Sequence, residues 1–159
     1  MTALKTLIFT ILVPGTVAVF IPRSLLSSAS ARGSAPIGNL HYSGLVVLGI
    51  GLVIYLWCAW DFTFAGKGTP APIDPPKNLV IRGLYKYVRN PMYLGVLYVM
   101  LGQAIWFESL ILFGYAALVF LLFNLFVLLY EEPALRRKFG DTYRQYCGLV
   151  PRWIPRRPQ

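Results

Sequence analysis

The chain has 159 residues, of which 57% are hydrophobic and 13% are charged, and its formal net charge is +9. A soluble domain carries about a quarter charged residues, and a soluble chain this apolar would expose patches that aggregate. Composition therefore excludes an ordinary water-soluble domain and predicts a single membrane domain over residues 1–159. Because the basic residues flank long apolar runs, as in proteins oriented in a bilayer, we expect membrane lipids and no nucleic acid as partners.

The first apolar run, residues 4–21, is long enough for a transmembrane helix. It contains Pro14 and Gly15, which membrane helices tolerate because neighbouring groups satisfy the freed backbone atoms. Lys5, the apolar run and the small residues that follow it also fit a signal peptide with its cleavage site. The run is interpreted as a retained span, with the signal peptide as the alternative.

The second apolar run, residues 40–60, completes the two predicted N-terminal spans. Gly44, Gly49 and Gly51 provide a face of small residues on which another helix can pack closely. Two tryptophans at its far end suit a membrane–water interface. Residues 1–60 are thus predicted to hold two transmembrane helices, and residues 61–159 the cofactor-binding catalytic half.

Two further apolar runs, residues 91–107 and 110–130, predict a tight helical hairpin, since only Glu108 and Ser109 separate them. Before them, residues 61–90 form a polar stretch whose four prolines exclude a continuous helix. After them comes a basic, aromatic tail, predicted to be helical. The fold class is therefore an all-α integral membrane protein with about four transmembrane helices.

The distribution of basic residues predicts the orientation. With four spans, all but two of the 15 lysines and arginines fall on one side of the membrane, the exceptions being Arg23 and Arg32. Positive charge accumulates on the cytoplasmic side, so both chain ends are expected there in a multi-pass protein. The two large polar segments then share the cytoplasmic face, and a site built from both would open to it.

The segment from Arg89 to Gly95 is the first candidate for chemistry. Asn90 is a favoured helix N-cap and Pro91 a favoured first helical residue. The free N–H groups of such a helix start attract an anion, Arg89 adds a positive charge, and Gly95 permits close approach to the backbone. The alternative is an ordinary, well-capped membrane helix.

The second candidate is Glu131-Glu132-Pro133, which follows an apolar run. The helix dipole disfavours acids at this C-terminal end, and Pro133 is expected to disrupt the helix. Acids at such a position are candidates for function. The alternative is a pair of interfacial acids neutralised by the basic residues 136–138 at helical spacing.

Other polar residues are given structural roles. Asn124 lies on the same helix face as Glu131, and Gln103 on the preceding helix is its expected hydrogen-bond partner. His41, the single histidine, is interpreted as interfacial, and no metal site is predicted. In the tail, Gly140 is expected to end one short helix and Asp141 to cap the next.

Five segments between residues 66 and 155 resemble, in order and spacing, the family that includes isoprenylcysteine carboxyl methyltransferase and the phospholipid N-methyltransferases. They are Gly83–Tyr85, Arg89–Gly95, Glu131-Glu132, Phe139–Tyr146 and Val150–Pro155. Asn90 departs from the histidine of many members, and the N-terminal half is short.

The resemblance implies S-adenosylmethionine bound at the cytoplasmic membrane face. It implies that acids balance the positive groups of the cofactor, that an arginine and a helix start hold its carboxylate, that tyrosines line its adenine pocket, and that a second arginine orients an anionic acceptor. The implied cofactor-binding residues are Tyr85, Arg89, Asn90, Pro91, Tyr93, Gly95, Glu131, Glu132, Tyr143 and Tyr146. Arg152 and Glu132 are the implied catalytic residues.

The acceptor is expected to be a lipophilic small molecule or a lipid, because the site opens toward the bilayer. A carboxylate or thiolate acceptor is favoured, since an amine must first lose a proton and His41 is placed on the opposite membrane face. Two alternatives remain: a phospholipid headgroup N-methyltransferase, and a non-catalytic membrane scaffold or transporter subunit. The sequence does not indicate the oligomeric state.

Overall fold

The computed structural model describes residues 8, 11–27, 41–64 and 78–156. These residues are mainly helical and form no β-sheet, which confirms the all-helical class. The helices are α1 (Ile11–Ser27), α2 (His41–Phe64), α3 (Pro91–Trp106), α4 (Leu110–Phe126) and α5 (Glu132–Leu149), with a 3₁₀ turn (Gly83–Lys86) before α3 and a π-helical turn (Val127–Glu131) between α4 and α5.

Two helical stretches are long and apolar enough to cross a membrane: α2, and the continuous run Leu110–Leu149 that joins α4 to α5. α1 and α3 are apolar but shorter. Many large apolar side chains point outward; Leu129, for example, is 76% exposed. Lipid is the solvent that such a surface requires, so the protein associates with membranes. Four spans with cytoplasmic chain ends stay a prediction.

α2 and α3 pack closely in antiparallel directions through two pairs of glycines. A Cβ added at Gly44 would lie 2.6 Å from the carbonyl oxygen of Gly102, and one added at Gly51 would lie 2.7 Å from that of Gly95. Only residues without side chains allow this approach. The predicted small-residue face is therefore correct for Gly44 and Gly51 but wrong for Gly49, whose added Cβ has no described residue within 4 Å.

α1 is held to the bundle by its own π-helical turn, Thr16–Phe20. Gln103 donates a hydrogen bond of 2.6 Å to the carbonyl of Ala18, and the Tyr115 hydroxyl donates one of 2.9 Å to that of Val17. Membrane helices rely on such internal partners for polar groups. The predicted pairing of Gln103 with Asn124 is wrong, because α1 supplies the acceptor instead.

The chain continues as a helix through Pro133, contrary to the prediction that this residue disrupts it. The π-helical turn ends two residues before the proline, and the Glu132 N–H bonds to the Val127 carbonyl five residues back. A regular α-helix would press a carbonyl against the proline ring, and the wider turn relieves that clash. Gly140 then kinks α5 with φ 54° and ψ −125°, which confirms the predicted break.

The end of α2 differs from the prediction, and parts of three predicted segments lie outside the described residues. α2 runs to Phe64, beyond the predicted end at residue 60, so Asp61 lies in a helix and is buried there rather than in the polar loop. The start of the first apolar run with its signal-peptide alternative, the residues around Arg32 and the proline-rich residues 65–77 lie outside the described part of the chain.

Candidate functional site

The site lies where the start of α3, the junction of α4 with α5 and the C-terminal segment meet. Two backbone hydrogen bonds bring the C-terminal segment alongside the residues that precede α3. The Arg89 N–H donates to the Pro151 carbonyl at 2.9 Å, and the Arg156 N–H donates to the Tyr87 carbonyl at 3.0 Å. The two polar segments that the sequence places on one membrane face are therefore in direct contact.

Glu132 is the centre of an arginine cluster and is only 5% exposed. Arg152 binds it in a bidentate manner, with Nε 2.7 Å from Oε1 and Nη2 3.1 Å from Oε2. Arg89 Nη1 lies 3.1 Å from Oε1, and Arg136 Nη2 lies 3.8 Å from Oε2. Charge-assisted bonds of this kind are strong and specific in direction. The hydrogen bonds that Arg152 donates to Glu132 raise the pKa of this arginine, which stays cationic.

The partners of Glu132 are thus arginines of its own chain, and three of them surround one carboxylate. The nearest helical neighbour, Arg136, is the most distant of the three, so spacing along the helix accounts for the weakest contact only. Arg89 keeps one buried donor, Nε, for which the described residues supply no acceptor. Direct contact of Glu132 with a cofactor stays a prediction.

Glu131 has a different environment from its neighbour. The Tyr93 hydroxyl donates to Glu131 Oε2 at 2.8 Å, and Glu131 forms no ion pair with any residue in the described ranges. Successive residues of a helix point about 100° apart, so adjacent acids face different surroundings. Within the described part of the chain, Glu132 therefore has cationic partners and Glu131 has none.

An aromatic group lines the same region. The Tyr93 ring lies 4.7 Å from that of Phe123 and 6.4 Å from that of Trp153, and the Trp153 ring lies 5.2 Å from that of Phe120. The Trp153 indole N–H donates to Asn124 Oδ1 at 3.0 Å. The partner of Asn124 is therefore the C-terminal segment, which packs against α4 about two turns before Glu131.

The other predicted tyrosines lie in two buried clusters: Tyr143 and Tyr146 pack with Val150, and Tyr85 packs with Cys58 and Val80. Tyr85, Tyr143 and Tyr146 are all buried. The Tyr146 hydroxyl donates to the Tyr85 carbonyl at 2.7 Å, and the rings of Tyr143 and Tyr146 lie 6.2 Å apart. They pack near the arginine cluster, and their role in an adenine pocket stays a prediction.

The start of α3 is confirmed at Pro91, but two of its details differ from expectation. Asn90 makes no capping bond; its side-chain N–H group donates to the Arg152 carbonyl at 3.2 Å instead. A Cβ on Gly95 would lie 2.8 Å from the Tyr55 backbone nitrogen. The group that approaches Gly95 is therefore the backbone of α2, and helix packing accounts for this glycine.

Comparison with known proteins bears on the same residues. Residues 40–142, about two thirds of the chain, match the family described as phospholipid methyltransferase. The chain belongs to the phospholipid methyltransferase family. This confirms the resemblance seen in the sequence and implies a membrane methyltransferase.

A further comparison concerns one short relative. An uncharacterized protein of Haemophilus influenzae is 35% identical over 63 residues, which cover 40% of this chain and all of that protein. No solved structure matches this phospholipid methyltransferase family member.

Sequence reasoning assigned no role to three residues of this family member, although one of them, Trp153, lies in the motif Val150–Pro155. Trp153 contacts Asn124. Cys147 contacts Arg89, whose Nη1 lies 2.8 Å from its Sγ. Asp61 is buried and pairs with an arginine of the loop. The sequence does contain a signal that Asp61 lies within α2, because the apolar and aromatic pattern of this helix continues to Phe64 on both sides of the acid.

Proposed function

We propose that this protein is an S-adenosylmethionine-dependent methyltransferase that acts at the cytoplasmic membrane face on a lipophilic acceptor. The observation that carries the proposal is the Arg89–Glu132 ion pair of 3.1 Å. It joins the start of α3 to the junction of α4 with α5. The two segments that the family resemblance assigns to one cofactor therefore lie within one site.

The charges of the site fit this cofactor, which carries a carboxylate and two positive groups. Arg89 Nε is a buried donor without an acceptor among the described residues, which suits a carboxylate. Glu131 has a neutral phenol as its hydrogen-bond partner and no ion pair in the described ranges, which suits a positive group. Glu132 is already matched by arginines, so we assign it the task of holding Arg89 and Arg152 in place.

When bound, the cofactor supplies an electrophilic methyl group on a sulfonium sulfur. The protein contributes position and exclusion of water. Tyr93 orients Glu131 through its 2.8 Å hydrogen bond. The hydrogen bond from Trp153 to Asn124 holds the C-terminal segment against α4. Arg152, which is partly exposed beyond its contact with Glu132, can orient an anionic group of the acceptor.

The class of acceptor has two candidates. A carboxylate or thiolate acceptor needs no base to remove a proton. The sequence alone therefore favours this class of acceptor. A phospholipid headgroup amine is the second candidate, and Glu131 is the specific observation in its favour. Because Tyr93 is a neutral partner, the Glu131 carboxylate can accept the proton that an ammonium must lose.

A binding titration tests the cofactor. Purified protein in detergent is titrated with S-adenosylmethionine in a calorimeter, alongside Glu131→Gln and the control Arg144→Gln, which alters an exposed pair with Asp141. We expect wild type and the control to bind alike and Glu131→Gln to bind at least tenfold more weakly, as for a lost charge-assisted contact. An absence of binding to wild type would reject the methyltransferase and favour the non-catalytic scaffold.

A second assay identifies the acceptor. The protein is reconstituted in vesicles that contain either phosphatidylethanolamine or a prenylated cysteine with a free carboxyl group, and transfer of labelled methyl is followed into each. Label in the first vesicles alone identifies an amine acceptor, and label in the second alone a carboxylate.

A further inference from the structure

We propose that Asp61 of α2 is a positioning residue for Arg89, because it anchors residues 82–90, the segment that carries this arginine. The inference rests on the proposed function, in which Arg89 binds the cofactor. Asp61 itself lies at the α2 end of this segment, where it pairs with Arg82.

The Asp61 side chain is only 2% exposed, although it is charged and lies at the end of an apolar helix. Its Oδ1 forms an ion pair with Arg82 Nε at 3.0 Å, while Oδ2 has no hydrogen-bond partner among the described residues. Burial of a carboxylate with one unsatisfied oxygen is unfavourable, and an apolar residue would pack there at lower cost. The presence of Asp61 is therefore better explained by its contact with Arg82 than by the packing of α2.

The turn after Arg82 is fitted to this carboxylate. Gly83 has φ +55°, in the region that favours glycine, and a Cβ added to it would collide with Asp61 Oδ2. The same Cβ would lie 3.1 Å from Trp57 Nε1. Asp61 thus contacts two consecutive residues of the segment, one through an ion pair and one through van der Waals contact, and so determines where the segment leaves α2.

From this anchor the segment leads directly to the site. The turn places the Tyr85 ring 5.5 Å from that of Phe62 on α2, and the Tyr85 carbonyl accepts the Tyr146 hydroxyl at 2.7 Å. Four residues later the Arg89 N–H bonds to the Pro151 carbonyl. Asp61 fixes the beginning of residues 82–90 through Arg82. The C-terminal segment fixes the other end, at Arg89.

The test compares two substitutions of Asp61. Asp61→Ala removes the ion-pair partner of Arg82, whereas Asp61→Asn keeps an oxygen beside it. We expect Asp61→Ala to raise the KM for S-adenosylmethionine roughly tenfold, the size of a lost charge-assisted hydrogen bond, with kcat within about twofold. Asp61→Asn should recover most of the affinity. Asp141→Ala, which breaks an exposed aspartate–arginine pair, is the matched control and should change neither constant.

A second readout does not depend on the cofactor. Cys147 Sγ contacts Arg89 Nη1, so displacement of Arg89 uncovers the thiol. Maleimide labelling of Cys147, located by mass spectrometry, should be faster in Asp61→Ala than in wild type, Asp61→Asn or Asp141→Ala. If wild type binds no cofactor but Cys147 labelling follows this order, the proposed function fails and the anchor stands.

Two results would overturn the anchor: wild-type KM and labelling in a folded Asp61→Ala protein, or equal impairment by the alanine and asparagine substitutions. If Asp61→Ala does not fold, Arg82→Ala takes its place, because the Arg82 side chain is 56% exposed and tolerates truncation. Wild-type behaviour of Arg82→Ala would equally overturn the proposal.

Discussion

Arg152 holds both carboxylate oxygens of Glu132, at 2.7 and 3.1 Å, and so ties the C-terminal segment to the first turn of α5. Twenty residues separate the two in the chain. Arg89 donates to one of the same oxygens, Oε1, at 3.1 Å, so one carboxylate joins the start of α3 to the C-terminal segment.

Replacement of Glu132 by alanine should be strongly destabilising. Arg89 and Arg152 would then lose their shared acceptor, and breaking a buried pair by removing one partner costs about 3 kcal/mol or more. Unfolding in mixed micelles measures this loss. Arg136→Ala is the control, because this side chain is 57% exposed and 3.8 Å away; we expect a change of about 0.5 kcal/mol or less. Equal effects of the two substitutions would contradict the central role of Glu132.

Replacement of Asn124 by leucine should loosen the C-terminal segment. The Trp153 indole N–H would lose its acceptor in an apolar setting, at a cost of about 1 kcal/mol. Limited proteolysis should then cleave after the C-terminal arginines faster than in wild type. Trp153→Phe should have the same effect, and the double mutant should add little, because both substitutions remove one bond. Additive losses would show that the two residues act independently.

Tyr93→Phe tests how Glu131 is positioned. Loss of the phenol removes the hydrogen bond to the carboxylate and should weaken binding of S-adenosylmethionine by roughly fivefold, the size of one net hydrogen bond. Tyr98→Phe, on the same helix with an exposed ring, is the matched control and should bind like wild type. Calorimetry measures both. If Tyr93→Phe binds as tightly as Tyr98→Phe, the phenol has no part in orienting Glu131.

Substitution of the packed glycines should separate α2 from α3. Gly51→Ala places a methyl group 2.6 Å from the Val99 backbone nitrogen, and overpacking of this kind costs roughly 1–3 kcal/mol. Gly49→Ala, two residues away with open space at its added Cβ, should be neutral or slightly stabilising. Thermal unfolding in detergent compares the pair. A Gly51→Ala protein as stable as Gly49→Ala would refute the close contact.

What the sequence determines by itself is local. Apolar runs predict the helices, Asn90-Pro91 predicts the start of α3, and Gly140 predicts the kink of α5. Each of these depends on propensity, on the fixed φ of a proline or on backbone freedom within a few residues. The order of the family motifs likewise predicts the family, which residues 40–142 confirm. The continuation of the helix through Pro133 escaped this reasoning, because a wider turn compensates for the proline.

Which polar groups meet is decided by the tertiary structure. Gln103 and Asn124 have suitable amides and face suitable helices, yet one bonds to α1 and the other to Trp153. Glu131 and Glu132 are neighbours in sequence but have a phenol and three arginines as partners. In an apolar environment a buried polar group gains most from the nearest partner that helix packing supplies. That packing depends on the glycine contacts between α2 and α3, and no periodicity along the chain encodes which side chains it brings together.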